Sequence, residues 1–304
     1  MARLLVFGSI NLDFSIPVPR LPSPGETLLG NAALVAPGGK GANQAHAARL
    51  YGCEVALFGA VGDDALAPPA LRLLAEAGVD LDGVRRLAGT STGIASICVT
   101  PDGDNAIVVS PGANGIVHAD WVPDAALQAA HVVMLQMEVP VEASMQLARR
   151  ARRAGCTVVM NLAPAHALDT IDMHALDWLV LNRTELASLC AALALPGPSP
   201  RSQASLVAME VGVNVVLTLG SEGALLCTPD GHAVAEAAWR GRVVDTTGAG
   251  DTLAGVFGAC LAEGTAPATA LRRGVVAGGL ACRHPGAQAA QPRRMHIDEA
   301  LEAP

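Results

Sequence analysis

The amino-acid sequence predicts an α/β fold: a doubly wound, mainly parallel sheet flanked by helices, with a small β-sheet lid. Short apolar segments typical of buried strands alternate with amphipathic helical segments along most of the chain. Two stretches, residues 14–36 and 90–110, break this alternation with prolines or with a hairpin-like pattern. The chain has 304 residues, 51% of them apolar, which suits one large core. We therefore expect one domain over residues 1–304, with the lid formed by about 14–36 and 90–110.

The first half of the chain begins with a buried strand over residues 4–10, which ends at the polar residues Asn11 and Asp13. The elements predicted after it are a helix over 41–50, a strand over 55–61, a helix over 65–77, strands over 92–100 and 105–110, and a helix over 120–129. Because residues 92–110 have the pattern of a hairpin, we expect them to pair with the 14–36 segment.

The second half of the chain keeps a regular strand and helix rhythm. The predicted strands are 131–137, 156–161, 178–181, 213–219 and a short one at 242–244, with a hairpin-like region over 223–239. The predicted helices are 141–154, 184–192, 202–211, 252–263 and 267–281. Helices between successive strands indicate a parallel sheet that is covered on both faces.

Composition excludes several classes of protein. Twenty cationic and 28 anionic residues give a net charge of −8, so we expect no nucleic-acid partner and no membrane surface. The seven scattered cysteines form no C-x-x-C pair, which favours reduced thiols and a cytoplasmic protein over a disulfide framework or a zinc site. No apolar run reaches the roughly 20 residues of a membrane helix, and the N-terminus is typical of a first strand rather than a signal peptide.

Polar and small residues follow most of the predicted parallel strands. Because ligands bind beyond the carboxyl ends of such strands, we expect these residues to share one pocket. They are Asn11, Asp13, Glu138, Asn182, Glu185, Gly220, Ser221 and Asp251. A cap or a turn is the ordinary explanation for any one of them, and only their common position favours a site.

Residues 245–251 (DTTGAGD) form a small-residue turn that leads into a predicted helix. The free amides and positive end of a helix attract anions, phosphate above all. A carboxylate at Asp251 could then take the proton of a hydroxyl that attacks the phosphate. An ordinary strand–turn–helix junction is the alternative.

Lys40 is the only lysine of the chain, since all other cationic residues are arginine. It lies in a second glycine-rich turn, residues 38–44 (GGKGANQ). A compact ammonium differs from a planar guanidinium, so Lys40 predicts a site that arginine does not fit, with chance survival in an arginine-rich composition as the alternative. Neither a G-x-x-x-x-G-K-[ST] loop nor a G-x-G-x-x-G turn after the first strand is present, which argues against a P-loop NTPase and a Rossmann oxidoreductase.

These motifs resemble those of the ribokinase-like, or phosphofructokinase-B type, family of carbohydrate kinases. The resemblance runs from residue 4 to about 292 and includes both glycine-rich turns. Before, between and after them stand Gly25-Glu26-Thr27, Gly62-Asp63-Asp64, Asn182-x-x-Glu185, Thr218-Leu219-Gly220-Ser221-x-Gly223 and Gly286-Ala287-Gln288. The resemblance implies an ATP-dependent kinase that transfers the γ-phosphoryl of MgATP to the primary hydroxyl of a pentose, with D-ribose as the expected acceptor.

The family pattern implies a role for each matching residue. The sugar would be held by Asn11, Asp13, Gly39, Lys40, Asn43 and Glu138. Asp251 would be the catalytic base, and the amides of Gly248, Ala249 and Gly250 would form the anion hole. The ATP site would comprise Asn182, Glu185, Thr218, Gly220, Ser221, Gly223 and Gly250, with Glu185 acting indirectly on Mg²⁺.

The resemblance also implies a monovalent cation, K⁺, bound largely by backbone carbonyls. Its ligands would be Asp245, Thr247, Ala281, His284 and Gly286, although other members often have arginine at the position of His284. Two further departures, Leu253-Ala254 for Phe-Asn and Arg183 inside the Asn-x-x-Glu motif, could change the phosphate side.

Three alternatives and an assembly remain open at this stage. A nucleoside kinase or another sugar kinase of the same family would present the same ribose-binding groups, and lid residues 95–97 would decide between them. A binding regulator without catalysis is the alternative outside enzymes. We expect a homodimer through apolar lid residues, namely Ile16, Val18, Leu28, Ile94 and Ile97.

Overall fold

The computed structural model describes residues 2–302 of the chain. Its strands are β1 (Arg3–Phe7), β2 (Asn11–Pro17), β3 (Leu34–Gly38), β4 (Glu54–Gly62), β5 (Val84–Leu87), β6 (Gly93–Val99), β7 (Asn105–Ser110), β8 (Val132–Leu135), β9 (Thr157–Asn161), β10 (Trp178–Asn182), β11 (Asn214–Thr218), β12 (Ala224–Cys227) and β13 (Ala233–Glu236). Its helices are α1 (Lys40–Tyr51), α2 (Ala67–Ala77), α3 (Asp124–Ala129), α4 (Val141–Arg153), α5 (Arg183–Ala192), α6 (Pro200–Val211), α7 (Ala249–Ala262), α8 (Pro267–Ala281) and α9 (Arg294–Glu302). Within residues 2–302, no helix combines the length and apolarity that crossing a bilayer requires.

The larger sheet has nine strands in the order β13-β12-β11-β10-β9-β8-β1-β4-β5. All neighbours are parallel except β11–β12 and β12–β13, so the predicted mainly parallel sheet is confirmed. Successive side chains of a strand point to opposite faces. In β1, Leu5 and Phe7 pack in one apolar cluster with α4, α5 and α6, whereas Leu4 and Val6 pack in a second with α1, α7 and α8.

The lid is a four-stranded sheet in the order β3-β2-β6-β7. The predicted hairpin is present as antiparallel β6 and β7, and it joins the earlier segment through parallel pairing of β2 with β6. Because β2 begins at Asn11, four residues after β1 ends, the first polar residues of the lid lie directly beside the carboxyl end of a central strand.

The apolar residues predicted for the lid are less exposed than others on its strands. Val18 is buried, and Ile16, Leu28, Ile94 and Ile97 are only partly exposed. More exposed apolar side chains lie on β3 and β7 and include Leu34, Val35, Ile107, Val108 and Val109. Because side chains alternate, Leu34, Ile107 and Val109 share one face of the sheet with Ile97, whereas Val35 and Val108 lie on the other face.

Three predicted elements differ from the observed ones. Residues 242–244 form no strand: the amides of Val244 and Asp245 donate to the carbonyl of Cys282 at the end of α8, and Val243 is 64% exposed. The predicted 120–129 helix is divided into a short 3₁₀ turn and α3, because Pro123 between them has no amide to donate. The helix after the small-residue turn begins at Ala249 rather than 252, and β5 and α9 were not predicted.

Candidate active site

Asp251 lies in the first turn of α7 and is only 7% exposed. Both of its carboxylate oxygens accept a hydrogen bond from α1: Asn43 Nδ2 lies 2.9 Å from Oδ2, and Gln44 Nε2 lies 3.1 Å from Oδ1. The two glycine-rich motifs, which are about 200 residues apart in the chain, are therefore in direct contact. Asn43, predicted to hold the sugar, contacts the predicted base.

The turn before Asp251 presents a partly free set of backbone amides. Gly248 has a left-handed conformation, with φ of 74°, and caps α7. The amide of Ala249 donates to the carbonyl of Thr246 at 3.2 Å, so this amide is not free in the anion hole as predicted. Within the described chain, the amides of Gly248, Gly250 and Asp251 have no acceptor, and a Cβ at Gly250 would meet nothing within 4 Å. In this turn, the amides without an acceptor among residues 2–302 are therefore those of Gly248, Gly250 and Asp251, and the amide of Ala249 is not among them.

Four charged side chains face one another around the predicted sugar site. Burial, followed by the charges of Glu138 and Asp251, raises the pKa of Asp13 to about 7, and Lys40 opposes this effect. The same carboxylates, Asp251 foremost, raise the pKa of Lys40 against its burial. A single ammonium thus neutralises part of a strongly acidic cleft, which explains physically why a cation occupies position 40.

Neighbouring backbone fits closely around Asp13 and Asn11. A Cβ at Gly38 would lie 2.0 Å from an oxygen of Asp13, so only glycine leaves room for this carboxylate. Asn11 Oδ1 accepts from Nδ2 of Asn114 at 2.7 Å, and Asn114 also exchanges two hydrogen bonds with the backbone of Ile10. Asn114 was not predicted, since it lies in an irregular segment after β7 that carries no motif.

One carboxylate oxygen of Glu138 is hydrogen-bonded within the protein. Its Oε2 accepts from Ser9 Oγ at 2.6 Å and from the amide of Lys40 at 3.0 Å. Ser9 Oγ also accepts from the amide of Gly41 at 3.2 Å. Ser9 and Glu138 therefore hold the first turn of α1 against the end of β1, which leaves the other oxygen of Glu138 for a ligand. Sequence reasoning missed Ser9.

The nucleotide side is built on the ends of β10 and β11. Asn182 and Glu185 form a reciprocal cap of α5, in which Asn182 Oδ1 accepts from the amide of Glu185 at 2.9 Å and Glu185 Oε2 accepts from that of Asn182 at 2.7 Å. Burial raises the pKa of Glu185. Arg183, the departure inside this motif, points away to an exposed ion pair with Glu222 at 2.6 Å.

A cleft of about 120 Å³ joins the two sides. Its lining includes residues predicted for base, sugar and nucleotide roles: Lys40, Asn182, Glu185, Thr218, Gly248, Gly250 and Asp251. Gly220 and Ser221 lie in a short 3₁₀ turn directly after β11. Close packing explains why position 223 is glycine, because a Cβ there would lie 2.0 Å from the carbonyl oxygen of Glu236 in β13.

The two loops predicted to bind a monovalent cation are adjacent. Asp245 accepts from the amide of Thr247 at 2.9 Å and from the amide of Gly286 at 2.8 Å. Burial would raise the pKa of Asp245, but these hydrogen bonds hold it below its usual value. The carbonyl of Ala281 accepts only a long contact of 3.5 Å from the amide of His284. Within residues 2–302 no cluster of His, Cys, Asp and Glu could hold a metal ion, so a cation here would depend on carbonyl oxygens.

Comparison with known proteins identifies the family of the chain. The family model for the pfkB family carbohydrate kinases matches residues 1–294. The chain belongs to this family. As a pfkB kinase, it is 35% identical over 306 residues to the ribokinase of Lactococcus lactis, covering 99% of this chain and 98% of the relative.

Solved structures are similar to this pfkB kinase over the whole fold. The ribokinase of Thermotoga maritima superposes with a TM-score of 0.89 at 29% identity, with full coverage of both chains. The ribokinase of Arabidopsis thaliana, solved with ribose and ATP, has a TM-score of 0.87 at 31% identity, also with full coverage. The expectation of an ATP-dependent carbohydrate kinase with a lid is therefore confirmed.

Proposed function

We propose that this pfkB kinase transfers the γ-phosphoryl group of MgATP to the primary hydroxyl of D-ribose. The observation that carries the proposal is the position of Asp251, which is held in the first turn of α7 beside amides that have no acceptor in the described chain. Ribokinases of several organisms as relatives, and a ribokinase neighbour solved with ribose and ATP, support ribose as the acceptor.

Asp251 takes the proton of the primary hydroxyl as that oxygen attacks the phosphorus atom. The free amides of Gly248, Gly250 and Asp251 donate to the oxygens of the transferring group, where charge accumulates in the transition state. Their backbone is already held by the capping geometry of α7, so little reorganisation is needed.

The sugar is held by the polar groups around the lid entrance. Hydroxyls of a buried sugar need both donors and acceptors, and the amide, carboxylate and ammonium groups of this site supply both. In our proposal these groups belong to Asn11, Asp13, Gly39, Lys40, Asn43 and Glu138. Asn43 then exchanges part of its contact with Asp251 for the ligand.

The chemistry of the opposite wall fits a nucleotide and its metal. The open space at Gly250 admits phosphate oxygens, and one oxygen of Glu185 stays free of the α5 cap. ATP would be held by Asn182, Glu185, Thr218, Gly220, Ser221, Gly223 and Gly250. Bound Mg²⁺ would neutralise phosphate charge, with Glu185 acting on it through its water ligands.

We also propose a K⁺ site between the Asp245 and Gly286 loops. The fit rests on the hydrogen bonds from Thr247 and Gly286 to Asp245, which hold the two carbonyl-bearing loops side by side. The carbonyls of Asp245, Thr247, Ala281, His284 and Gly286 would be its ligands. Since the first loop leads directly into the anion turn, the cation would keep that turn rigid.

A homodimer through the lid, in the cytoplasm, completes the proposal. The face of the lid that carries the exposed Val35 and Val108 would be covered by the same face of a second copy, whereas in a monomer these side chains would contact water. The free cysteines fit a reducing compartment.

Asp251→Asn tests the role of the base. We expect the variant to fold with an unchanged melting temperature and to lose turnover by about three or more orders of magnitude, because the amide cannot accept the proton. The measurement is coupled ADP release over a panel of pentoses, hexoses and nucleosides, with and without K⁺. Wild-type turnover of Asp251→Asn would remove Asp251 from the mechanism, and a faster reaction with a nucleoside than with ribose would replace the proposed acceptor.

A further inference from the structure

Two chains of buried side-chain amides run behind Asp251. Gln44 and Gln136 are fully buried, and Gln288 is 1% exposed. Neither Gln136 nor Gln288 lines the cleft. Each is nevertheless one hydrogen bond away from an amide that contacts the base.

In the first chain, the carbonyl of Val180 determines which way every amide points. A backbone carbonyl only accepts, so Asn161 donates its Nδ2 to Val180 at 3.0 Å and turns its Oδ1 toward Gln44. Gln44 Nε2 must then donate, and its two hydrogens go to Asn161 Oδ1 at 3.0 Å and Asp251 Oδ1 at 3.1 Å. Gln44 Oε1 in turn accepts from Gln136 Nε2 at 2.7 Å. A flipped Gln44 would place its oxygen against the carboxylate.

The second chain reaches the other oxygen of Asp251. Asn43 Nδ2 donates to Oδ2 at 2.9 Å, and Asn43 Oδ1 accepts from Gln288 Nε2 at 3.2 Å. Gln288 follows the loop whose Gly286 amide binds Asp245. Each carboxylate oxygen is thus held by an amide, and each of these amides accepts a further hydrogen bond from a glutamine behind it.

The outer glutamines carry a polar atom that stability alone does not explain. Oε1 of Gln136 and Oε1 of Gln288 are buried and have no hydrogen-bond partner among residues 2–302. An unpartnered buried oxygen destabilises a folded protein, and an apolar side chain of similar length would avoid it. Each glutamine therefore holds the inner amide through one hydrogen bond, while its own oxygen has no partner in the described chain.

We propose that Gln136 and Gln288 are positioning residues of the catalytic base, acting through Gln44 and Asn43. They prevent the Asp251 carboxylate from rotating, so that its free lone pairs stay aligned with the acceptor hydroxyl, on which proton transfer depends. The inference rests on the proposed role of Asp251, and it adds residues that do not touch the substrate.

Gln136→Met tests the first chain, because methionine keeps the length of the side chain and removes both polar atoms. We expect kcat to fall about tenfold or more, while KM for ribose and for ATP changes by less than about twofold. The melting temperature should change little, since the variant removes the unpartnered oxygen of Gln136 but leaves Gln44 Oε1 without its donor. Gln288→Met should give the same division between kcat and KM through the second chain, which provides a second test if one variant folds poorly.

A double-mutant cycle shows whether Gln136 acts through Gln44. The double variant Gln44→Met/Gln136→Met should be no slower than Gln44→Met alone, because the outer amide has nothing left to orient. The control is Ser144→Ala in α4, which also removes a buried oxygen without a partner and should leave kcat unchanged.

The outcomes separate this inference from the proposed function. The positioning role would be overturned if the losses in kcat of the single variants multiplied in the double variant. It would also be overturned if Gln136→Met and Gln288→Met both kept wild-type kcat while Asp251→Asn was inactive. Either result would leave Asp251 as the base. An active Asp251→Asn would overturn both.

Discussion

Removing the charge of Asp13 is expected to stabilise the folded protein and to weaken its binding of the sugar. Its Oδ1 has no hydrogen-bond partner among residues 2–302, and burial, with Glu138 and Asp251, raises the pKa of the carboxyl to about 7. Because the usual value is 3.8, the folded protein binds more protons than the unfolded chain between these two pH values. The free energy of unfolding therefore falls as the pH rises from about 4 to about 7.

Asp13→Asn removes this charge at nearly constant volume. The difference between 3.8 and about 7 corresponds to about 4 kcal/mol, and because the cleft is open to water we expect roughly half of it, about 2 kcal/mol, at a pH near 8. Urea unfolding should show the variant to be more stable than wild type near pH 8 and nearly equal to it near pH 4. The same variant should raise KM for ribose about tenfold or more, since a charged hydrogen-bond acceptor is lost.

Asp102→Asn is the matched control, because Asp102 lies exposed in the turn between β6 and β7. It should leave both the pH dependence and the KM unchanged. If Asp13→Asn and the wild-type protein show the same dependence of unfolding free energy on pH, the charge at Asp13 does not destabilise the fold and the reasoning is wrong.

Three further changes give distinct expected results. Lys40→Arg should raise KM for the sugar about tenfold with little change in melting temperature, since the guanidinium is larger than the ammonium in a cleft fitted to it, and an unchanged KM would assign Lys40 to compositional chance. Gly250→Ala should keep the melting temperature and lower kcat, because its Cβ enters open space needed by phosphate. Gly248→Ala should lower the melting temperature, because its φ is 74° and its Cβ would lie 2.8 Å from that of Ala287; equal behaviour of the two glycine variants would contradict this distinction. Val108→Asp on β7 should yield monomers in sedimentation velocity, whereas Met209→Asp on the exposed surface of α6 should not; a dimer that survives Val108→Asp would exclude this lid face.

The residues that the motifs predicted come together largely as expected. Lys40, Asn182, Glu185, Thr218, Gly250 and Asp251 line one cleft, because parallel strands end at the same edge of a sheet and the two glycine-rich turns meet there. The residues that support them were not predictable. Ser9, Asn114, Asn161 and Gln136 carry no motif, and each becomes visible only through hydrogen bonds that join distant parts of the chain.

One predicted strand was wrong. Residues 242–244 form no strand: the amide of Val244 donates to the carbonyl of Cys282 at the end of α8, and both Val243 and Val244 are exposed. A short apolar pattern does not determine whether a segment finds a neighbouring strand, because that neighbour is a property of the assembled fold.

The sequence by itself determined the α/β class, the lid segments, the family and the chemistry of the two glycine-rich turns, because periodicity, small residues and motif spacing are local properties. Only the tertiary structure decided that both oxygens of Asp251 are held by amides of α1, that the amide of Ala249 is not free, and that Asp13 is buried among like charges. Hydrogen-bond direction and burial depend on neighbours that are far apart in the chain, so they arise only when the sheet brings its strand ends together.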